Sequence, residues 1–209
     1  MEQLTSVLAR GARGLGLDLS AMQIRALEEH LFLLAKWNAK LNLVGPGALE
    51  TWAAIHTLDS LAVAEWVEAG DEVIDVGSGA GFPGIPCAVV RPDTRFCFVE
   101  PRANRASFLQ NVIAAIGLRN AAVKTSRAET EPGLFDVVLG RAVAQQPRWA
   151  TLASKLCVPG GGFVLFSLEA PPARLGEADS TLAKAYDLGE GRRRFIAKYV
   201  PRGTPDAVS

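Results

Sequence analysis

Cysteine and histidine are scarce in this sequence, which contains three cysteines and two histidines among 209 residues. Cys87, Cys97 and Cys157 lie far apart, form no C-x-x-C pair and are odd in number. A disulfide framework or a zinc site needs a denser and more regular set of these residues. We therefore predict a reduced protein that holds no metal ion.

Long apolar runs are also missing. No stretch reaches the roughly 18 consecutive apolar residues that a membrane-spanning helix requires. The N-terminal segment MEQLTSVLARGARG contains no apolar core of the kind found in secretory signal peptides. These absences predict a cytoplasmic protein with no membrane partner.

The chain has no excess charge of either sign, because 22 basic residues balance 22 acidic ones. The two signs are unevenly distributed: residues 1–80 contain five basic and eleven acidic residues, whereas residues 81–209 contain 17 and 11. A neutral chain with such an asymmetry can still present a basic face to phosphates. A chance scatter of charges explains the same counts, so the charge alone leaves both interpretations open.

What the sequence does contain changes character near residue 70. Ser20 and Gln23 form a capping-box pattern ahead of apolar residues at helical spacing, and residues 49–67 also have a helical pattern. From residue 71 onwards, short apolar segments alternate with helical ones. The predicted strands are 72–76, 95–100, 121–125, 135–139 and 162–167, and the predicted helices lie near 83–90, 102–117 and 146–157.

Alternation of strands and helices predicts an α/β fold with a parallel sheet that is covered on both faces. We expect a helical N-terminal cap, residues 1–70, packed on one compact domain, residues 71–209. Residues 185–199 are predicted to add an antiparallel pair of strands at the edge of the sheet, with a turn at Glu190 and Gly191.

The loop after the first predicted strand, in VIDVGSGAGFPGIP (73–86), contains GAGFPG, which fits the G-x-G-x-x-G pattern of dinucleotide-binding proteins. Asp75 argues against a pyrophosphate, because a carboxylate about 4 Å from it would cost several kcal/mol. Pro83 and Pro86 also remove N–H donors from the helix start that would bind phosphate.

S-adenosylmethionine carries a sulfonium and an ammonium group and no phosphate, so a carboxylate suits it. Asp75 followed by Gly77, Gly79 and Gly81 therefore predicts a site for this cofactor at the carboxyl end of the first strand. Glu100 ends the second strand and is placed to accept hydrogen bonds from ribose hydroxyls. NAD also has a ribose, so Glu100 by itself does not separate the two cofactors.

The sequence resembles the RsmG family, also called glucose-inhibited division protein B. The matching segments are KWNAKLNLVG (36–45), HTLDSLA (56–62), VIDVGSGAGFPGIPCAVVRPD (73–93), RANRASFLQNVIAAIGLRNAAVKTSRAE (102–129), FDVVLGRAVA (135–144) and LCVPGGGFVLF (156–166). The resemblance implies a Rossmann-like class I methyltransferase that moves a methyl group from S-adenosylmethionine to N7 of a guanine in 16S rRNA of the small ribosomal subunit. We expect a monomer, although no feature of the sequence determines the oligomeric state.

The resemblance implies cofactor contacts at Gly77, Phe82, Ala128, Glu129 and Arg141. Phe82 would supply an apolar wall, Ala128 is small enough to lie beside an adenine ring, and Arg141 can pair with a carboxylate or a phosphate. For Phe82 a place in the core, and for Arg141 a surface salt bridge, are the simpler alternatives.

No catalytic residue is predicted. The segment LGRAVAQ (139–145) lacks an N-P-P-Y-type loop, and none of the cysteines is placed as a nucleophile for carbon methylation. Guanine N7 has an in-plane lone pair, so its attack on a sulfonium methyl group needs positioning and no base. That chemistry is consistent with the sequence, although the choice of N7 comes from the resemblance.

RNA contacts are predicted less sharply. The candidates are Asn42, His56, Arg102, Arg105, Arg127, Arg141, Arg192, Arg193, Arg194 and Lys198. Where relatives often carry a lysine–glycine pair after the fifth strand, this chain has Ser167 and Leu168, so no substrate role is transferred to that position. The alternatives to rRNA methylation are another RNA or small-molecule acceptor, a non-catalytic RNA-binding protein and, less favoured, an NAD-dependent oxidoreductase.

Overall fold

The computed structural model describes residues 2–141, 145–188 and 191–202. The N-terminal part is helical, with α1 (Glu2–Gly14), α2 (Ala21–Leu41), α3 (Leu49–Trp52), a π-helical turn (Ala53–Thr57), α4 (Leu58–Leu61) and a 3-10 turn (Ala64–Trp66). Ser20 caps α2, because its side chain accepts the Gln23 N–H at 3.2 Å while the Gln23 side chain accepts the Ser20 N–H at 2.9 Å. The predicted capping box is confirmed.

The remaining chain forms an eight-stranded sheet in the order β3-β2-β1-β4-β5-β8-β7-β6. The strands are β1 (Glu72–Val76), β2 (Arg95–Val99), β3 (Ala121–Lys124), β4 (Phe135–Leu139), β5 (Cys157–Ser167), β6 (Arg174–Leu175), β7 (Ala178–Asp187) and β8 (Arg193–Pro201). Strands β1 to β5 are parallel. The strand order reverses at β1, which lies between β2 and β4, and ligands bind at the carboxyl ends of strands beside such a reversal.

Helices α5 (Gly84–Val90), α6 (Ala103–Ile116) and α7 (Gln146–Leu156) connect the parallel strands. One face of the sheet packs against α5, α6 and the N-terminal helices, and its core includes Leu31, Val73 and Phe108. The other face packs against α7, with Ile74 and Trp149 in its core. Neighbouring residues of β1 point to opposite faces, and Val73, Ile74 and Val76 are all buried, as expected for a sheet covered on both sides.

The predicted antiparallel pair near the C-terminus is present as β7 and β8. The pair does not form the edge of the sheet, because β8 lies between β5 and β7 and is antiparallel to both, and β6 pairs with β7 on its outer side. In β8, Ile196, Ala197 and Tyr199 are fully buried, as in a central strand. Strand β7 already begins at Ala178, and the two-residue β6 forms the edge.

Two smaller expectations also concern the C-terminal half. Cys157 was expected to end the preceding helix but begins β5, because the chain is already extended there and paired with Phe135 of β4. Glu190, predicted to form the turn before β8, lies outside the described residues. Within the described ranges, no helix has both the length and the apolar character needed to cross a membrane.

Candidate active site

The loop between β1 and α5 is shaped by glycine. Gly77, Gly79 and Gly81 have φ angles of 65°, 50° and 85°, in the left-handed region that other residues rarely adopt. The N–H groups of Gly77 and Ser78 donate to the carbonyl oxygen of Val99 at 2.8 and 3.2 Å. These bonds fold the loop back over the end of β2 and bring the glycines beside the residue that follows it.

That residue is Glu100, whose side chain is held by the loop itself. Its Oε2 accepts the N–H of Gly79 at 3.1 Å, and its Oε1 accepts the N–H of Arg102 at 3.0 Å. Only 4% of Glu100 is exposed. A carboxylate oxygen can accept more than one hydrogen bond, so both oxygens keep capacity for ligand hydroxyls.

A cleft of about 320 Å³ opens beside Glu100, where β1, β2 and β3 end. Gly77, Ala128 and Glu129 line it together with Glu100. Ala128 and Glu129 belong to a 3-10 turn (Ala128–Thr130) after β3, so the sheet brings together residues that are distant along the chain. Of the eight residues expected at the cofactor, these four lie on the cleft wall, and Gly79 is bonded to one of them.

Asp75 does not line this cleft. Its carboxyl group is fully buried, with Oδ2 accepting the N–H of Gly84 at 3.2 Å at the start of α5, and with Oδ1 lacking a partner among the described residues. Burial raises the pKa of Asp75 to about 7. In this arrangement Asp75 is bonded to α5 and is not part of the cleft wall, so its contact with a cationic ligand stays a prediction. The acid instead occupies the helix start that a phosphate would use, so it disfavours a pyrophosphate through a different contact.

The helical N-terminal part reaches the glycine loop through His30 of α2, a residue that the sequence interpretation missed. Its Nε2 lies 2.8 Å from the carbonyl oxygen of Ala80, which requires the proton on Nε2, and burial lowers the pKa of His30 to about 4. His30 lies at helical spacing from the buried Leu27, Leu31 and Leu34. A histidine on an apolar helix face was the signal that could have identified it.

Arg141, directly after β4, is the centre of a buried polar network. Its Nη1 lies 3.2 Å from Asp59 Oδ2, its Nη2 lies 3.1 Å from His56 Nδ1, and its guanidinium carbon lies 5.3 Å from the centre of the Phe82 ring. The Tyr186 hydroxyl donates to the other Asp59 oxygen. Arg141 thus pairs with a carboxylate, as the sequence suggested, but the pair is largely buried and not a surface salt bridge.

Phe82 and Arg141 are therefore not on the wall of the cleft. Phe82 is 5% exposed and packs between His30 and His56, with ring-centre distances of 4.9 and 5.3 Å. The predicted site divides into a cleft at β1–β3 and a network beside it at the end of β4. Asp59 and Tyr186 belong to the network and were not predicted as site residues. Asp59 lies in the family-like segment HTLDSLA, which was the signal that could have identified it, whereas nothing local marks Tyr186.

The arginine candidates for RNA binding lie on the side of the sheet where the parallel strands end. Arg102, Arg105 and Arg127 line the cleft. Since β8 runs antiparallel to β5, the run 192–194 at its start also lies near the carboxyl ends of the parallel strands. Lys198 lies within β8, and the Asn42 carbonyl oxygen is 3.5 Å from Arg105 Nη2.

The cysteines are packing residues. Cys87 and Cys157 are buried and Cys97 is half-buried, and none of them lines the cleft. Burial raises the pKa of all three thiols, that of Cys157 to about 12. A thiol with a raised pKa is a poor nucleophile, which is consistent with a packing role for all three residues.

The parallel sheet, the glycine loop after β1 and the acid after β2 define a class I methyltransferase fold. A mutant of MtNAS solved in complex with S-adenosylmethionine has a TM-score of 0.59 and 15% identity, over 82% of this chain and 73% of that one. TYW2 from P. horikoshii in complex with MeSAdo has a TM-score of 0.56 and 12% identity, over 69% and 61% of the two chains. The predicted α/β fold class is confirmed.

The family model of GidB, rRNA small subunit methyltransferase G, matches residues 23–185. The ribosomal RNA small subunit methyltransferase G of Nitrosococcus oceani is 33% identical over 208 residues, which cover 96% of this chain and 97% of that protein. The protein of the same name from Roseiflexus sp. is 41% identical over 73% of this chain and 67% of its own length. The chain belongs to the rRNA small subunit methyltransferase G family, which confirms the resemblance found in its sequence.

The hydrogen bond between Tyr186 and Asp59 in this network should contribute to the stability of the folded protein. Tyr186→Phe removes the donor to a buried Asp59 oxygen, so we expect the free energy of unfolding to fall by about 1–3 kcal/mol. Lys184→Ala is the matched control, because Lys184 also joins β7 to the helical region, through an ion pair with Glu65 that is partly exposed. Its loss should cost less than about 1 kcal/mol. Urea unfolding measures both, and equal losses would contradict a special role for the hydroxyl.

The two histidines make a prediction about pH. NMR of the imidazole nitrogens should show both as neutral Nε2–H tautomers at pH 7, with pKa values near 4. An unfolded histidine has a pKa of about 6.5, so the unfolded state binds more protons between the two values. Each histidine therefore lowers the free energy of unfolding as the pH falls through that window. Asp75, with its raised pKa, contributes the opposite slope. Because these opposite slopes partly cancel in the pH dependence of the free energy of unfolding, the NMR titration of each histidine is the deciding measurement. A histidine pKa above 6 would contradict the prediction.

Proposed function

We propose that this protein transfers the methyl group of S-adenosylmethionine to N7 of a guanine in 16S rRNA of the small ribosomal subunit. Membership of the rRNA small subunit methyltransferase G family is the observation that carries the proposal. We infer that it acts in the cytoplasm, where ribosomal subunits are assembled, and as a monomer.

The cleft fits the proposed cofactor. Glu100 presents a carboxylate that is already oriented by two backbone N–H groups, which suits the paired hydroxyls of a ribose. Ala128 and Glu129 line the same cleft, where a small side chain leaves room for a purine ring and a polar group can bind its edge. Gly77 allows close approach by the methionine portion. When bound, S-adenosylmethionine supplies an electrophilic methyl group.

The proposed reaction needs no side chain to act as an acid, a base or a nucleophile. The N7 lone pair forms the new bond to the methyl carbon, while the electrons of the sulfur–carbon bond return to sulfur. No proton leaves, so no general base is needed, and the guanine gains the positive charge that the sulfonium loses. Holding the two partners in line is worth roughly 7–11 kcal/mol in favourable cases. We propose that the cleft and the adjoining network perform this positioning.

An NAD-dependent oxidoreductase is disfavoured by the same geometry. The N–H of Gly84 at the start of α5 is bonded to Asp75, and Pro83 before it has no N–H to offer. A pyrophosphate at this helix start would meet an acid in place of free donors. The matching family model and the relatives named above are methyltransferases.

The substrate is tested by methyl transfer from labelled S-adenosylmethionine. We expect the purified protein to label small subunits or 16S rRNA from a strain in which the gene is deleted, and to leave RNA from the parent strain unlabelled. Nucleoside digestion followed by mass spectrometry should recover the label as N7-methylguanosine. Label in another nucleoside would overturn the proposal for N7, and the absence of any label in rRNA would overturn the substrate.

The cofactor site is tested by calorimetry. Glu100→Gln removes a charged acceptor from the cleft, so we expect about 10- to 100-fold weaker binding of S-adenosylmethionine. Glu72→Gln is the matched control, because Glu72 lies at the opposite end of β1 in an exposed pair with Arg95. Its affinity should match that of the unaltered protein. Equal affinity in both variants, or binding of NAD in the cleft, would contradict this assignment.

A further inference from the structure

His56 lies where the glycine loop, the N-terminal helices and the end of β4 meet. It is part of the π-helical turn between α3 and α4, and such turns often occur at functional sites. Its ring centre is 5.3 Å from that of Phe82 in the loop, and its Nδ1 is 3.1 Å from Arg141 Nη2 after β4. The imidazole is half-buried, so it is anchored on one side and reaches the surface of the site on the other.

The contact with Arg141 determines which tautomer His56 adopts. A guanidinium nitrogen can only donate, so Nδ1 must be the acceptor and the proton must lie on Nε2. Burial and the nearby positive charge of Arg141 lower the pKa of His56 to about 4, which keeps the ring neutral. The ring therefore presents one N–H donor, pointing away from Arg141.

That donor has no partner in the part of the chain that the structure describes. The buried side-chain polar atoms without a hydrogen bond in those residues are His30 Nδ1, Thr57 Oγ1 and Asp75 Oδ1. His56 Nε2 is not one of them, and no described residue is hydrogen-bonded to it, so it is open to solvent. It is a preoriented donor beside the loop of the cofactor site.

The edge of guanine that carries N7 matches a single donor of this kind. Guanine presents N7 and O6 side by side as acceptors, whereas adenine presents N7 beside an amino group that donates. A donor at O6 therefore favours guanine and meets a second donor in adenine. N7 itself must stay free, because its lone pair forms the new bond.

The network also explains why Arg141 does not compete for the base. An arginine that is free to turn binds O6 and N7 of guanine together, which would occupy the attacking lone pair. In this structure Asp59 holds Nη1 and His56 holds Nη2. The carboxylate of Asp59 balances the arginine charge, and the neutral imidazole does not repel a guanine that becomes positive on methylation.

We propose that His56 determines the base specificity of this enzyme, with its Nε2–H donating to O6 of the target guanine while Arg141, Asp59 and Tyr186 position the ring. The assignment rests on the proposed function, because it takes guanine N7 as the methyl acceptor. Two residues of the HTLDS segment (56–60) then have separate roles: His56 contacts the base, and Asp59 acts through Arg141.

The test uses rRNA that carries either guanine or 2-aminopurine at the mapped target position. 2-Aminopurine keeps N7 but lacks O6, so it cannot accept the hydrogen bond. We expect the ratio of kcat/KM for guanine over 2-aminopurine to be about 10- to 100-fold larger in the unaltered enzyme than in His56→Phe, which keeps an aromatic ring without the donor. Comparing the two enzymes cancels the intrinsic difference in reactivity between the two bases.

His56→Gln provides the rescue. Its amide can accept from Arg141 through oxygen and donate through nitrogen, so it should recover much of the preference for guanine. Binding of S-adenosylmethionine should be unchanged in both variants, because His56 does not line the cleft. Lys184→Ala, which removes a partly exposed ion pair with Glu65, should keep full discrimination.

The outcomes separate the two levels of the proposal. Equal discrimination by the unaltered enzyme and by both His56 variants would overturn the role of His56 while leaving the proposed function intact. Failure of the unaltered enzyme to methylate the guanine-containing rRNA would overturn the proposed function itself. A loss of activity in His56→Phe without any change in the guanine preference would make His56 a structural residue only.

Discussion

The buried ion pair between Arg141 and Asp59 is the interaction on which the active-site architecture depends. It connects the end of β4 to α4, and through Tyr186 it also connects α4 to β7. Such a pair repays its desolvation only when the remaining donors and acceptors are satisfied, and here His56 and Tyr186 complete it. Three parts of the chain are thereby joined beside Phe82, and this residue of the glycine loop packs against Arg141 and His56.

The glycine loop obeys a second constraint, which is space. A β-carbon at Gly84 would lie 2.3 Å from Phe98 Cε1 and 2.6 Å from Asp75 Oδ2, so the first turn of α5 can approach the sheet only as glycine. This close approach places the Gly84 N–H on the Asp75 carboxylate. A buried acid at a helix start makes the loop unsuitable for phosphate, and the loop stays compatible with a cationic nucleoside. One glycine thus links packing to cofactor choice.

The sheet topology places many of the arginines of this neutral chain near the carboxyl ends of the parallel strands. Arginines follow β2, β3 and β4, at Arg102, Arg105, Arg127 and Arg141, and the run 192–194 lies at the start of β8, near the carboxyl end of β5. Acidic residues occupy the start of β1 at the opposite edge, where Glu72 pairs with Arg95. An edge rich in arginine beside the cleft suits a substrate that carries phosphates.

The sequence by itself determined the features that depend on neighbouring residues: the cap of α2 at Ser20, the five parallel strands and the glycine loop after β1. Capping, apolar periodicity and backbone freedom act over a few residues, so they can be read from the chain. The tertiary structure alone decided that Asp75 is buried, that β8 lies inside the sheet, and that His30 bonds to Ala80. It also brought Asp59 to Arg141 and Tyr186, which lie 82 and 127 residues further along the chain. Such contacts follow from the order of strands in the sheet and from packing between its layers, and no local pattern encodes either.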